Sequence, residues 1–139
     1  MTMIKIFVFT LAVTMVFIAG VPMGPEAGAA EPAKPARGDF QRIEGRWVRP
    51  DGGYVLDLKD IQKDGSLTAE YFNPRPIRVF RAEASKKDGT IALLVQLRDM
   101  NYPGSIYRLR YDKATDRLKG TYFQAVERRT FNIEFMRAR

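Results

Sequence analysis

From residue 43 to the end of the chain, apolar and polar residues alternate, and turn-forming residues recur about every ten positions. A period of two indicates β-strands, because successive side chains of a strand point to opposite faces. The pattern predicts eight strands, at 43–49, 54–61, 67–72, 77–84, 90–98, 105–111, 117–125 and 130–137.

The connections between these strands are all shorter than the dozen residues that a parallel crossover requires. Consecutive strands are therefore expected to pair as antiparallel hairpins. A meander of this kind has unpaired edges unless its first strand meets its last. The sequence thus predicts an all-β fold, an eight-stranded antiparallel up-and-down barrel. A two-sheet sandwich is the alternative.

The two ends of such a barrel differ in their connections. The second, fourth and sixth connections are tight and polar, and two contain Asp-Gly, a strong hairpin signal, at Asp64-Gly65 and Asp88-Gly89. The other connections are richer in Pro, Asn, Tyr and Arg. We therefore expect one closed end and one open end, and small barrels usually place a binding site at the open end.

Alternation also predicts the side chains that face the interior. In the fourth strand, Arg78 has the same phase as Phe80, Ala82 and Ala84, so we expect its side chain to point inward just below the open end. The expected inner residues are Tyr54, Leu56, Leu58, Leu67, Ala69, Tyr71, Phe80, Ala82, Ala84, Ile91, Leu93, Val95, Leu97, Tyr107, Leu109, Tyr111, Phe131, Ile133, Phe135 and Arg137.

Gly45-Arg46-Trp47 begins the first predicted strand, and Arg137 ends the last one in inward phase. This arrangement resembles the lipocalin and avidin superfamily of eight-stranded barrels. The resemblance implies that Trp47 and Arg137 form a structural plug at the base of the barrel, with the guanidinium stacked on the indole face.

The first hairpins are similar to those of avidin and streptavidin. The strand that contains Trp47 is followed by the Asp64-Gly65 turn and then by a Leu-Thr-x-x-Tyr segment at 67–71, which ends at Tyr71. The resemblance implies that Tyr71 faces a ligand. Two further biotin-binding positions carry Arg49 and Gly53 instead of the family's asparagine and serine. The family's site also needs several tryptophans, and this chain has one. We therefore expect a barrel that does not bind biotin.

Residues 1–30 have the composition of a signal peptide. Lys5 precedes an uncharged apolar run at 6–21, and Ala27-Gly28-Ala29-Ala30 offers small residues for cleavage. An uncleaved anchor is the alternative, although the run is shorter than a membrane-spanning helix requires. Residues 31–38 form a Pro- and Ala-rich tether, and 39–139 form the barrel domain. We expect a periplasmic or secreted protein with no membrane span after cleavage.

The chain has no cysteine and no histidine, which excludes disulfides, Cys or Ser-His nucleophiles, and His- or Cys-ligated zinc or haem. No calcium loop or phosphate loop is present, so we expect neither a metal nor a cofactor. The net charge of +7 favours anionic surroundings. Basic residues are spread along the chain without long runs, so nucleic acid is disfavoured as a partner.

Candidate binding residues gather in the third, fifth and seventh connections. Two similar segments, 67–73 and 118–124, both run toward the open end and bring Tyr71 and Tyr122 into the upper barrel. Aromatic walls, amides and guanidinium groups suit a small anionic or amphipathic ligand. The predicted ligand-binding residues are Tyr71, Asn73, Arg75, Arg78, Asn101, Tyr102, Gln124 and Arg128.

A catalytic site is not expected, since the acidic residues lie mainly in turns of the closed end or on outward strand positions. Asp99 and Glu127 lie at the open end, in different connections, and no other feature of the sequence supports them as a catalytic pair. We therefore expect a non-catalytic binding protein that holds a small hydrophobic or anionic ligand at the open end. The alternative is an envelope interaction module, or an inhibitor of an extracytoplasmic enzyme, without a ligand cavity.

Overall fold

The computed structural model describes residues 38–139. The predicted signal peptide and all of the predicted tether except Gly38 lie outside the described residues. A 3₁₀ helix at Asp39–Ile43 is followed by nine β-strands: β1 Gly45–Val48, β2 Val55–Lys59, β3 Thr68–Asn73, β4 Arg75–Ile77, β5 Val79–Lys87, β6 Thr90–Asp99, β7 Tyr102–Asp112, β8 Arg117–Gln124 and β9 Arg129–Arg137.

The nine strands form one sheet in the order β4-β3-β2-β1-β9-β8-β7-β6-β5, and every neighbouring pair is antiparallel. The first strand lies beside the last one, with Trp47 opposite Arg137 and Val48 opposite Met136. This order confirms the predicted all-β antiparallel meander, with first and last strands paired.

The two outer ends of the sheet approach each other and nearly close the barrel. Ser66 forms a bridge to Glu83 in β5, and the amide of Ala84 donates to the carbonyl of Gly65 at 2.8 Å. A Cβ atom on Gly65 would lie 1.9 Å from the Ala84 oxygen, and Gly65 has a φ of +90°. Only glycine permits this backbone approach, so a residue of the Asp64-Gly65 turn makes the near-closure possible.

The prediction of eight strands was wrong by one, because residues 75–77 form an additional strand, β4, where the sequence predicts the end of the third connection and the first residue of the fourth strand. β4 turns back on β3 so that Arg75 lies opposite Asn73 and Pro76 lies opposite Phe72. Pro76 has no amide hydrogen to donate, and it is tolerated because β4 is an edge strand that pairs on one side. From Val79 onward, the predicted fourth strand is β5, which pairs with β6.

The inward positions predicted for Phe80 and Arg78 were also wrong. The pairing of β5 with β6 shifts register between Val79 and Arg81, as at a β-bulge. A bulge inserts one residue and reverses the phase of the positions before it. Val79 therefore packs against the core, whereas Phe80 is 47% exposed and Arg78 lies on the surface. Beyond the bulge, Ala82 and Ala84 face inward as predicted.

The start of the predicted first strand was wrong as well. Ile43 ends the 3₁₀ helix, is completely buried, and its carbonyl accepts a hydrogen bond from Trp47 Nε1 at 2.9 Å. The short helix thus lies against the base of the barrel. In the other strands, the alternation holds along β2, β6, β7 and β9, where the expected inner residues are buried or packed against the core.

Candidate functional site at the open end

Four connections meet at the end of the barrel opposite the 3₁₀ helix. They join β1 to β2, β3 to β4, β6 to β7 and β8 to β9, and the junction of β4 with β5 lies beside them. We call residues 49–54, 73–80, 98–103 and 124–129 the open end. The other connections, including the Asp88-Gly89 turn with φ of 52° and 72°, belong to the closed end. Positive φ at both residues is the geometry that Asp-Gly favours in a tight hairpin.

Tyrosine side chains fill the barrel interior next to the open end. Tyr107 and Tyr122 lie opposite each other on β7 and β8, and their rings stack with centroids 4.4 Å apart. Tyr71 reaches across from β3, and its hydroxyl lies 2.8 Å from the Tyr107 hydroxyl. Tyr71 and Tyr107 are 1% and 0% exposed. Burial is the main cause that raises the pKa of Tyr107 to about 12 and also raises the pKa values of Tyr71 and Tyr122.

Arg49 lies above these tyrosines and is buried, with 7% of its surface exposed. It follows Trp47 by two positions, so the strand period carries its side chain into the barrel. Its Nη1 donates to the Tyr107 hydroxyl at 3.1 Å, and its Nε and Nη2 donate to the two carboxylate oxygens of Asp51 at 2.9 and 2.6 Å. The guanidinium carbon lies 4.5 Å from the centre of the Tyr54 ring.

These contacts stabilise the charged guanidinium. Burial by itself lowers the pKa of Arg49, but the hydrogen bond to Asp51 and the interactions with Tyr107 outweigh burial, and the net pKa is raised. The same hydrogen bond is the main cause that lowers the pKa of Asp51. The open end therefore contains a buried cation paired with a carboxylate of the neighbouring turn.

The predicted site did not include Arg49, Asp51, Tyr54, Tyr107 or Tyr122. Arg49 entered the sequence argument only as a departure from the avidin pattern. Its phase with Trp47 was the signal that could have placed it inside. A charged residue at an inward position is costly unless it is paired, which is a reason to examine such a residue as a site candidate.

Four of the predicted ligand-binding residues lie at the mouth, by which we mean the barrel interior at the open end, and they are partly or fully buried. Tyr71 is one of them, and Asn73 donates a hydrogen bond from Nδ2 to the Tyr102 hydroxyl. Gln124 lies two residues after Tyr122 on β8. Its Oε1 atom is buried and accepts no hydrogen bond from the described residues. Such an acceptor is available to a donor from a ligand or to ordered water.

The other four predicted residues lie on the rim, the solvent-exposed surface of the open end, and their side chains do not converge on the mouth. The structure exposes Arg75, Arg78, Asn101 and Arg128 to solvent. The Arg78 amide donates to the Asp99 carboxylate at 3.1 Å, so the backbone of this residue is held while its side chain is outside. The predicted set of eight is therefore two groups, an inner group of aromatic and amide side chains and an outer group that is mainly arginine.

Apolar side chains accompany the arginines on this rim. Met100 at the tip of the β6–β7 connection is 90% exposed, and Val126 at the tip of the β8–β9 connection is 62% exposed. Phe80 is also exposed, and the Arg98 guanidinium lies 3.5 Å from the centre of its ring. Three of the four exposed large hydrophobic residues of the described part thus belong to the open end.

At the opposite end, the structure places the two residues of the expected plug together. Trp47 is completely buried, and the Arg137 guanidinium carbon lies 4.2 Å from the centre of its indole ring. Arg137 Nε and Nη2 donate to the carboxylate of Asp116 at 2.8 and 3.0 Å. Arg137 also donates to the carbonyls of Glu44 and Arg42, at 2.8 and 2.7 Å.

Clefts occur on the surface away from the open end. An open cleft of about 540 Å³ lies at the closed end between Arg42, Lys86 and Lys113, and one of about 400 Å³ lies on the outer face of β5–β8. Within residues 38–139, no three acidic side chains gather as a metal site would require, and no helix is long and apolar enough to cross a bilayer.

Comparisons of the chain with protein-family models, curated proteins and solved structures find no match. The antiparallel barrel is compatible with a calycin-like fold, the class to which lipocalins and avidins belong. This likeness rests on the nearly closed antiparallel meander.

Proposed function

We propose that this protein is an exported, non-catalytic binding module that contacts a macromolecular partner through the open end of its barrel. The observation that carries the proposal is the contrast between the interior and the rim. Tyr71, Tyr107 and Arg49 occupy the interior below the mouth, where a carrier would hold its ligand. The connections above them expose apolar and basic side chains to solvent.

The apolar tips form a surface suited to a partner protein. Met100 and Val126 belong to two hairpins that are neighbours, since β7 and β8 pair with each other. Adjacent strands lie about 4.8 Å apart, so the two tips are on the order of 10 Å from each other. Methionine and arginine are enriched at protein interfaces, and exposed apolar side chains rimmed by polar ones mark such surfaces.

The charge of the open end favours an acidic partner. Arginines outnumber carboxylates in its four segments, with Arg75, Arg78 and Arg128 exposed on the rim. Complementary charge raises the rate at which such a surface meets its partner and rejects partners of like charge. The basic net charge of the whole chain points in the same direction.

Photo-cross-linking from single positions tests this proposal in the native host. A photoreactive residue at position 100 is expected to capture one defined partner. The matched control is position 113, because Lys113 is also an exposed turn residue but lies at the closed end. A Met100→Ser/Val126→Ser variant should then bind the identified partner about tenfold more weakly with unchanged thermal stability. Equal capture from both positions, or no capture from position 100, would overturn the proposal.

A small anionic ligand at the mouth is the second candidate function. It is favoured by the buried charge of Arg49, by the surrounding tyrosine rings and by Gln124 Oε1, which has no hydrogen-bond partner within residues 38–139. Native mass spectrometry of protein purified from its own host separates the two candidates. A retained small molecule supports the second, whereas a bare chain together with a cross-linked partner supports the first.

A further inference from the structure

We infer that the Arg49 guanidinium is a carboxylate-binding site that Asp51 occupies in the absence of a ligand. The inference rests on the proposed use of the open end as a binding surface, and it names the group that this surface recognises. The incoming carboxylate belongs either to an acidic side chain of the partner or to a free small molecule. In both cases it replaces Asp51 on the same guanidinium.

The geometry of the Arg49–Asp51 pair is the geometry that a foreign carboxylate would take. Both carboxylate oxygens accept from Arg49, one from Nε and one from Nη2, at 2.9 and 2.6 Å. Paired hydrogen bonds between a guanidinium and a carboxylate are directional and strong, and they define a site for a planar anion. Asp51 therefore shows which ligand chemistry this arginine accepts.

The carboxylate of Asp51 can leave without disturbing the sheet. Its side chain is 57% exposed, and its side-chain hydrogen bonds go only to Arg49 among the described residues. The turn is closed by backbone bonds instead, from the Arg49 amide to the Tyr54 carbonyl and from the Gly53 amide to the Arg49 carbonyl. A rotation about the side-chain bonds of Asp51 moves the carboxylate into solvent while these bonds persist.

Arg49 itself is held in place. The Tyr107 hydroxyl accepts from its Nη1, the Tyr54 ring lies 4.5 Å from its guanidinium carbon, and the Tyr122 ring lies 5.8 Å from it. A buried cation left without a counter-charge is strongly unfavourable, so an exchange of one carboxylate for another is easier than simple loss of Asp51. The Arg49 guanidinium is thus held in position to bind a carboxylate, whereas the Asp51 carboxylate that occupies it can be replaced.

The surroundings favour delivery of a carboxylate to this point. The exposed arginines of the rim, Arg75, Arg78 and Arg128, attract acidic groups toward the mouth. The apolar tips would exclude water from the contact once a partner is seated, which strengthens a charged pair at its centre. An acidic residue of the partner would then lie among aromatic rings and replace the carboxylate that the turn supplies.

The test compares variants that remove the same charge from two places at the open end. Asp51→Asn removes the occupant, and Glu127→Gln is the matched control, because Glu127 is exposed and its single ion pair within the described residues is a 3.8 Å contact with Arg129. The probes are the acidic peptide acetyl-Ala-Glu-Ala-Glu-Ala-amide, its glutamine counterpart, glutarate and inorganic phosphate. Binding is measured by calorimetry and by the ¹⁵Nε resonance of Arg49.

We expect Asp51→Asn to bind the acidic peptide about tenfold more tightly than the unmodified protein, with a shift of the Arg49 resonance. Glu127→Gln should change affinity less than twofold, and the glutamine peptide should not bind. Stronger binding of glutarate than of the peptide assigns the carboxylate to a small molecule, and the reverse assigns it to a partner; both support the site.

Two outcomes would overturn the inference. One is equal affinity of Asp51→Asn and the unmodified protein for both carboxylates. The other is binding of phosphate without binding of either carboxylate. The double variant Asp51→Asn/Arg49→Met should lose the increased affinity for the acidic peptide. Its melting temperature shows whether it is folded. If the double variant is unfolded, the ¹⁵Nε resonance of Arg49 in Asp51→Asn decides instead, because it must shift when the acidic peptide is added if Arg49 is the site. A failure here with continued cross-linking from position 100 rejects the carboxylate site but not the proposed function.

Discussion

The two ends of the barrel each contain an arginine that stacks on an aromatic ring and pairs with an aspartate, but they are held in different ways. Arg137 at the base pairs with Asp116, which is 21 positions away in the chain, and stacks on buried Trp47. Arg49 at the open end pairs with Asp51, which is two positions away in the same turn. The base arginine links distant segments, whereas the upper arginine is paired locally.

This difference gives Arg137 a role in stability, whereas the role that we propose for Arg49 is recognition. Arg137 joins the last strand to the carbonyls of Glu44 and Arg42, 93 and 95 positions earlier, so its loss affects the contact between the two ends of the domain. Arg49 has no comparable role in joining distant backbone segments, although it shares a hydrogen bond with Tyr107. We therefore expect substitutions at the base to change mainly stability, and substitutions at the open end to change mainly binding.

The largest effect is expected from Trp47→Ala at the base. Removing a completely buried tryptophan leaves a cavity and should lower the free energy of unfolding by about 3–5 kcal/mol. Urea denaturation followed by circular dichroism measures this change. Tyr54→Ala at the open end is the control, because that ring is only half-buried and should cost clearly less. Equal losses in the two variants would contradict the distinction between the ends.

The second effect concerns the arginines themselves. Arg137→Met removes charge-assisted hydrogen bonds to a carboxylate and to two carbonyls, and it should cost about 2–3 kcal/mol of unfolding free energy. Arg49→Met replaces a buried cation by an apolar side chain and frees Asp51 to face water, so it should cost about 1 kcal/mol or less. Chemical denaturation of both variants measures the difference, and a larger loss for Arg49→Met would reverse the assignment.

Alkaline pH should destabilise the folded domain through the buried tyrosines. Burial is the main cause that raises the pKa of Tyr107 from 10.0 to about 12, so the unfolded chain loses this proton first as pH rises. The contribution of Tyr107 is fully present below pH 10 and is lost between pH 10 and about 12, to an extent on the order of 2 kcal/mol.

Denaturation midpoints measured between pH 8 and pH 12 test this dependence. Tyr107→Phe removes the titrating hydroxyl, so its midpoint should fall less steeply above pH 10 than that of the unmodified protein. Identical slopes would show that Tyr107 does not contribute to the alkaline transition. The pKa values of Tyr71 and Tyr122 are also raised, so part of the slope should remain in the variant.

The smallest changes in stability are expected when the aspartates that pair with the two arginines, Asp116 and Asp51, are replaced by asparagine. Asp116→Asn weakens the pair with Arg137 and the hydrogen bond from the Tyr111 hydroxyl, and we expect a loss of about 1 kcal/mol. Asp51→Asn should cost less, about 0.5 kcal/mol, because residue 51 is exposed and the amide oxygen of asparagine can still accept a hydrogen bond from Arg49. Thermal melts at neutral pH and moderate salt resolve the two. A loss for Asp51→Asn that equals the loss for Asp116→Asn would mean that the upper pair is structural too.

Particular residues show how far the site could be predicted from the chain. Tyr71, Asn73, Tyr102 and Gln124 were predicted as site residues, and the structure places them at the mouth because strand phase and hairpin order follow from local pattern. Arg78 was assigned to the wrong side, since phase cannot be extended through a bulge that the sequence does not mark. Arg49 has the phase of Trp47, which places it inside, but the tyrosines that hold it there come from distant strands.

The sequence by itself determined the strands, their antiparallel order and most of the inner face, because a period of two and short connections are local properties of the chain. Only the tertiary structure decided that an additional strand follows Asn73, which side Phe80 and Arg78 take, and which side chains of distant strands hold Arg49 below the mouth. Those outcomes depend on which atoms of distant strands meet across the barrel, and no local pattern of residues specifies that.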